Sequence, residues 1–404
     1  MSRITAQIIR DAITSRSYKQ PAASQKDARD LQISVDGMSF GLTTGNNTGG
    51  VSQNLYFDAD ASKVLLSFLK DLLKESKKLG REIETPIQSI FFGAPGTGKS
   101  FKVNEAVQNQ QVFRTTFHPD YDYAQFVGAY KPKRESDGIT YSFVPQVFAK
   151  AYAAAWKLYL QRDSLLRGND NENGGDDSEE SDIRVFLVIE EINRGNCAQI
   201  FGDIFQLLDR DGEGFSQYYI DADCDFAEWL KDNEIGDDKL KLPPNLNILA
   251  TMNTSDQSLF PMDSAFKRRF DWEYVPISFT DEEGNEKEAA KYEIDIPDAN
   301  GKNYLWKNFV ETVNDKILDL TESEDKQLGE FFIKPDNGNV ISKERFLGKV
   351  MFYLWNEVCK DEHKNGSFFR VKNDGKEEFF TFQDLYKKKD LLKLFMDGLL
   401  APKN

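Results

Sequence analysis

Histidine and cysteine are almost missing from this chain, which holds two of the first and three of the second in 404 residues. Cys197, Cys224 and Cys359 are too scattered for a C-x-x-C pair, so a disulfide framework and a zinc centre of ordinary ligand spacing are both excluded. A reducing, cytoplasmic setting is expected. Long apolar runs are also lacking: none reaches the roughly 20 residues that a membrane-spanning helix needs. Charges interrupt Met1 to Lys19 throughout, so no signal-peptide core reads there and no membrane partner is expected. Positive charge is short as well. With 51 Lys and Arg against 67 Asp and Glu, the net charge is -16. That excludes broad nucleic-acid binding by the whole surface and leaves a local basic stripe, or a basic pore in an oligomer, as the available routes to DNA.

What is present is enough apolar residue, 40% of the chain, to bury a large core in two or three domains. The most informative stretch is Phe91 to Ser100, FFGAPGTGKS. Gly93-Ala94-Pro95-Gly96-Thr97-Gly98-Lys99-Ser100 satisfies every fixed position of the phosphate-loop pattern G-x-x-x-x-G-K-[ST]. Glycines let successive backbone N–H groups curl around an anion, and the following helix N-terminus adds partial positive charge. Lys99 is placed to reach terminal phosphates and Ser100 to ligate Mg2+. A Gly-rich turn would read similarly, but Ile87 to Phe92 is a short buried strand and Phe101 onward can start a helix, the context the motif requires.

Two further strand ends carry candidate chemistry. Val185 to Ile189 is a continuous apolar run of the kind a central parallel strand needs, and it ends on Glu190 and Glu191. Most Glu-Glu pairs are exposed acids opening a turn. Behind a buried strand and downstream of a phosphate loop, Glu190 instead falls where Mg2+ is supported and Glu191 where a base orients water. Leu246 to Thr251 forms another strand, ending in Met252-Asn253-Thr254. Asn253 can hydrogen-bond a γ-phosphate and the lytic water without adding negative charge. Farther on, Lys267-Arg268-Arg269 is a basic run. Such runs are ordinarily solvated, but in an NTPase Arg268 or Arg269 can serve as an arginine finger. Asn193-Arg194, just after the acids, reads either as a helix start capped by Asn193 or as an exposed turn open to a partner.

The spacing divides the chain into three parts. Residues 1–56 form a small, partly disordered appendage with a strand at Leu31 to Phe40 and a Gly-rich loop at Gly45 to Gly50. Residues 57–276 form the nucleotide-binding domain, led by an amphipathic helix over Ala61 to Leu79 and interrupted by a mobile acidic insert at 167–182. Residues 277–404 form a connector and a helical lid. Thr280 to Asn300 is charged and poor in strand signals; Leu305, Phe309, Val313, Ile317 and Leu320 recur at helical spacing, as do Phe346, Val350, Tyr353 and Leu354; and Thr381 to Leu400 closes the lid with one helix. These stripes are core. No convincing nuclease site exists: the nearest acid-and-lysine arrangement, Pro297-Asp298 with Glu322 to Lys326, sits in polar connector.

With GAPGTGKS, TTFHPDYDYAQFVGAYKP (Thr115 to Pro132), IEEINRGN (Ile189 to Asn196) and MNTSDQSLFPMDSAFKRRF (Met252 to Phe270) in place, the chain resembles the McrB-like AAA+ NTPases. The resemblance runs from about Ile87 to Tyr274, and more weakly through QLGEFFI (Gln327 to Ile333). It implies an α/β fold with a parallel central sheet flanked by helices and a C-terminal helical lid, turnover of GTP or ATP with Mg2+, and assembly into a ring, most simply a hexamer. It also implies a McrC-like nuclease partner in restriction of foreign DNA, with DNA reached through that partner or through the ring. No N-K-x-D guanine signature decides between the nucleotides. A protein-remodelling AAA+ chaperone and a nucleotide-dependent assembly module with little turnover are the alternatives. Three departures stand out. Glu190 occupies a position where the family usually has Asp, QLGEFFI carries no lid arginine, and residues 1–56 are short for a domain that reads modified bases.

Overall fold

The computed structural model describes residues 31–35, 38–42, 85–135, 138–168, 183–235, 239–255, 260–298, 300–336, 338–360, 366, 368–373 and 376–400. The chain divides into two compact units, residues 1–84 with 160–177, and residues 85–159 with 178–404. In the first, Leu31–Val35 pairs antiparallel with Met38–Leu42. The expected single strand is thus two. The expected helix at Ala61 to Leu79 and nearly all of the acidic insert lie outside the described residues.

The second unit is built on a five-stranded parallel sheet. Its strands are β1 (Gln88–Gly93), β2 (Gln111–Thr116), β3 (Val185–Glu190), β4 (Leu246–Asn253) and β5 (Asp271–Tyr274), in the spatial order β5-β1-β4-β3-β2. The three central strands are almost wholly buried, whereas β2 and β5 are edge strands with exposed positions. Continuous apolar sequence therefore marks the middle of the sheet, because helices cover both faces there. Phe186, Val188 and Leu249 pack on one face with Val103 of α1 (Lys99–Ala106) and with Val107, which caps its end. Val185, Leu187, Ile189 and Ile248 pack on the other, in the cluster that holds Phe148, Ala151, Tyr152 and Ala155 of α2 (Val147–Gly168). Burying each such Val, Leu or Ile side chain is worth about 1.5–3 kcal/mol.

A partly buried arginine fixes the amino-terminal edge of the sheet. Arg210 donates from Nε to Gln88 Oε1 at 2.7 Å and from its Nη atoms to the carbonyls of Gly214, Pro243 and Leu246. Burial pulls its guanidinium down to about 9, against the nearby charge of Asp211. A buried charge persists only when its donors are matched, and these four acceptors supply the match.

A second core fills residues 279–399. Trp306, Phe309, Val310, Val313 and Ile317 of α3 (Trp306–Thr321) meet Phe346, Val350 and Leu354 and the buried face of Leu391–Leu399. Phe346–Met351 and Leu354–Val358 wind as π-helical turns, a departure that spacing alone does not signal. Two expectations need correction. The connector holds a real strand, Glu293–Pro297, which pairs with Asn303–Leu305 and with Val340–Ile341. The closing segment is two helices, Asp384–Lys387 and Leu391–Leu399, not one.

Candidate phosphate-binding site

The parallel register brings the functional strand ends into one row. Asn253 pairs with Gly93, Ala250 with Ile189, and Thr116 with Glu190, so the phosphate loop, both acids and Asn253 emerge at the same carboxyl edge. That edge is where ligands of open α/β sheets bind. The loop then turns directly into α1, capped by Gly98 in a left-handed conformation.

Lys99 is buried and donates to the carbonyls of Gly93 at 3.0 Å and Ala94 at 2.8 Å, two atoms of its own loop. Burial lowers its ammonium to about 8, opposed by the charges of Glu191 and Glu190. Thr97 is also buried and bonds back to the Ala94 carbonyl. The Ser100 hydroxyl donates to Glu190 Oε2 at 2.9 Å, and Thr251 Oγ1 donates to the same oxygen at 2.5 Å. Arg114 Nη1 takes the other oxygen, Oε1.

Glu191 adopts φ 55°, ψ 48°. A glutamate in this left-handed region carries strain of about 1–3 kcal/mol, a cost found mainly where a site demands a particular direction. Asn253 Nδ2 donates to Glu191 Oε1 at 2.5 Å, and the Glu191 amide donates to Thr251 Oγ1 at 3.2 Å. Arg194 Nε stands 3.7 Å from Glu191 Oε2. Asn193 is not a helix cap. Its side chain is buried and donates to the Asn253 carbonyl at 2.7 Å, while the cap of the next helix, Cys197–Phe201, is Asn196. Arg194 is half exposed.

The two candidate finger residues part company. Arg269 is 8% exposed and donates to Asp209 Oδ2 at 2.6 Å and to the Ala265 carbonyl at 3.0 Å. Its guanidinium also lies 4.0 Å from the centre of the Phe205 ring. Arg268 is exposed.

The lid meets the phosphate loop through its main chain. The Gly329 amide donates to the Pro95 carbonyl at 2.9 Å, and the Phe331 amide to the Gly96 carbonyl at 2.8 Å. A Cβ on Gly329 would overlap main-chain atoms of Gly96 and Thr97, and one on Gly96, at φ +84°, would lie 2.5 Å from Phe332 Cα. Glycine is required on both sides of this contact. Asn314 of α3 holds the turn by bonding both the amide and the carbonyl of Leu328, and Trp306 Nε1 donates to the Glu330 carbonyl. Glu330 is fully buried against Lys287, and burial raises its carboxyl.

Sequence reasoning missed Arg114, Thr251, Arg210 and the Gly329 turn. The first three are single polar residues without a motif. Gly329 stood inside a stretch already tied to the lid, but nothing in that stretch told of a main-chain contact.

A glycine-rich loop between a parallel strand and a helix, with acids and a polar residue on neighbouring strand ends, defines a P-loop NTPase, and residues 88–270 match the AAA domain (dynein-related subfamily). The chain is 35% identical over 333 residues to the type II restriction enzyme BsuMI component YdiS of Bacillus subtilis, across 74% of this chain and 88% of that protein. It is 27% identical over 192 residues to the type IV methyl-directed restriction enzyme EcoKMcrB subunit of Escherichia coli, across 45% of this chain and 33% of that subunit. The chain belongs to the McrB-like AAA+ ATPases of restriction systems. Among the described residues no helix is long and apolar enough to cross a membrane.

Proposed function

We propose that the chain is the motor of a restriction system, a ring, most simply a hexamer, that hydrolyses GTP or ATP and drives a McrC-like nuclease subunit. The observation that carries this reading is the convergence of Lys99, Ser100, Glu190, Glu191 and Asn253 on one sheet edge. Kinship with two restriction-enzyme components supports the biological setting.

Each side chain then has a role. Gly93 to Gly98 offer their main chain to the phosphates, and Lys99 releases the loop carbonyls to meet the terminal phosphate. Ser100 and Glu190 are hard oxygen donors 2.9 Å apart, the kind of pair that holds Mg2+ beside phosphate oxygens. When bound, Mg2+ would neutralise charge on the terminal phosphates. Glu191 orients the attacking water, and Asn253, already bonded to Glu191, links that base to the γ-phosphate. Arg268, exposed where Arg269 is committed to Asp209, Ala265 and Phe205, acts on the nucleotide of a neighbouring protomer. Arg194, near Glu191 and half exposed, suits a relay from the partner subunit. DNA is reached through that partner or the ring, since the net charge is -16.

The test is hydrolysis of each nucleotide with Mg2+ by the purified protein and by Lys99→Ala, with light scattering to follow assembly, each with and without the product of a neighbouring nuclease gene. Wild-type turnover and nucleotide-dependent assembly, both lost in Lys99→Ala, would support the motor. Assembly with negligible turnover, even with the partner, would favour a structural assembly module.

A further inference from the structure

Arg114 lies outside every motif discussed so far. It occupies β2 opposite Val188, so it shares a sheet face with Glu190, two residues farther along β3, and with α1. From there its guanidinium spans two elements. Nη1 donates to Glu190 Oε1 and Nη2 to Asn104 Oδ1 on α1. The other Glu190 oxygen is left to Ser100 and Thr251.

We propose that Arg114 is a positioning residue for the metal-facing carboxylate, holding Glu190 so that Oε2 meets the Ser100 hydroxyl in the geometry Mg2+ needs. This rests on the reading of Ser100 and Glu190 as the Mg2+ pair. A glutamate has one more rotatable bond than an aspartate and must be fixed sideways as well as along its stem. Arginine suits that task because its planar fork grips two acceptors at a set angle, which a lysine cannot do. A cation beside a metal-binding carboxylate also repels the metal. That repulsion is weakened here, since the Arg114 side chain is 36% exposed and solvent screens it, whereas the orientation acts on a Glu190 side chain only 15% exposed. Positioning therefore outweighs repulsion.

A simple strap between β2 and α1 would produce the same contacts, so the experiment separates the two. Binding of a fluorescent nucleotide analogue is titrated with Mg2+ for wild type, Arg114→Gln, Arg114→Lys, Asn104→Ala, Glu190→Asp and Arg114→Gln in the Glu190→Asp background, with melting temperatures measured alongside. Loss of one charge-assisted hydrogen bond should raise the half-saturating Mg2+ concentration about tenfold in Arg114→Gln. Arg114→Lys should fall between, and it serves as the readout if the glutamine variant does not fold. Asn104→Ala, which frees one arm of the fork but spares the contact with Glu190, should raise the Mg2+ requirement by less than Arg114→Gln does, whereas a simple strap would lower the melting temperature equally in both and shift Mg2+ dependence in neither. In the Glu190→Asp background the Arg114→Gln effect should vanish, because the shorter acid no longer reaches the guanidinium. An unchanged or lowered Mg2+ requirement in Arg114→Gln, or an equal shift in both backgrounds, would overturn the inference. A wild type whose nucleotide binding ignores Mg2+ would overturn the Mg2+ reading itself, and this inference with it.

Discussion

The α/β core and the lid approach the same phosphate loop with different chemistry. The core offers side chains, Lys99, Ser100, Glu190, Glu191 and Asn253, each delivered by a strand end or helix start. The lid offers peptide groups, the amides of Gly329 and Phe331, against the carbonyls of Pro95 and Gly96. Side chains at strand ends can be tuned one at a time, and their charges do chemistry. Peptide groups in a packed turn carry little chemistry, but they transmit position, because a shift of the loop must move the turn. On the proposed function, the core carries the reaction and the lid is joined to the loop that holds the phosphates.

The comparison is tested most severely where a charged side chain is removed. If Arg268 belongs to the chemical side of the molecule, Arg268→Ala should lower turnover by about 1,000-fold with nucleotide binding near wild type. Arg269→Ala should instead lower the melting temperature, because it leaves Asp209 without its buried partner. Calorimetry and steady-state hydrolysis on both variants decide the assignment, and the opposite pattern would exchange the two roles. Next comes the base. Glu191→Gln should lower turnover by about 100-fold or more with nucleotide affinity retained. Equal loss of binding and turnover would show that Glu191 holds the loop rather than the water.

On the lid side, Gly329→Ala forces a methyl into the Gly96 and Thr97 main chain. Overpacking of this kind should weaken nucleotide affinity about tenfold with the core still folded, measured by equilibrium binding together with circular dichroism. Unchanged affinity would mean that the lid only rests on the loop. The smallest effect is in pH. Lys99 is held at about 8 in the folded chain against 10.5 for a free lysine. Its buried charge therefore costs stability fully below pH 8, and that cost fades as pH rises toward 10.5. Phosphate needs the charged form, so binding takes up a proton above pH 8. Affinity should fall several-fold between about pH 8 and 9, approaching tenfold per unit above that. Titration calorimetry in buffers of different ionisation heat would detect the uptake, and Lys99→Arg should abolish the slope.

Much of the core was legible because its signals are local. The expected strand at Ile87 to Phe92 is Gln88–Gly93, the run ending on two acids is β3, and the stripe from Leu305 to Leu320 is α3, with Phe309, Val313 and Ile317 buried as expected and Leu305 exposed at 41%. The lid was harder. Glu293–Pro297 alternates apolar and charged residues over only five positions and gains its meaning from partners at 303–305 and 340–341, which no window of sequence contains. Asn193 looked like a cap because asparagines are common caps. Three residues later Asn196 takes that role, which frees Asn193 to tie the turn to β4. Arg114 and Arg210 matter through register and burial, neither of which shows in an isolated arginine.

The contact between lid and loop has a bearing on how such a protein can change. Because the lid amides do not depend on which side chain they carry, an alanine scan through 328–332 would register the coupling only at Gly329. Substitutions at the other positions would read as packing defects. If the proposed function holds, such a protein can let most of its lid surface drift toward new partners while the link to the phosphate loop survives, provided that the glycines facing each other at positions 96 and 329 stay as they are.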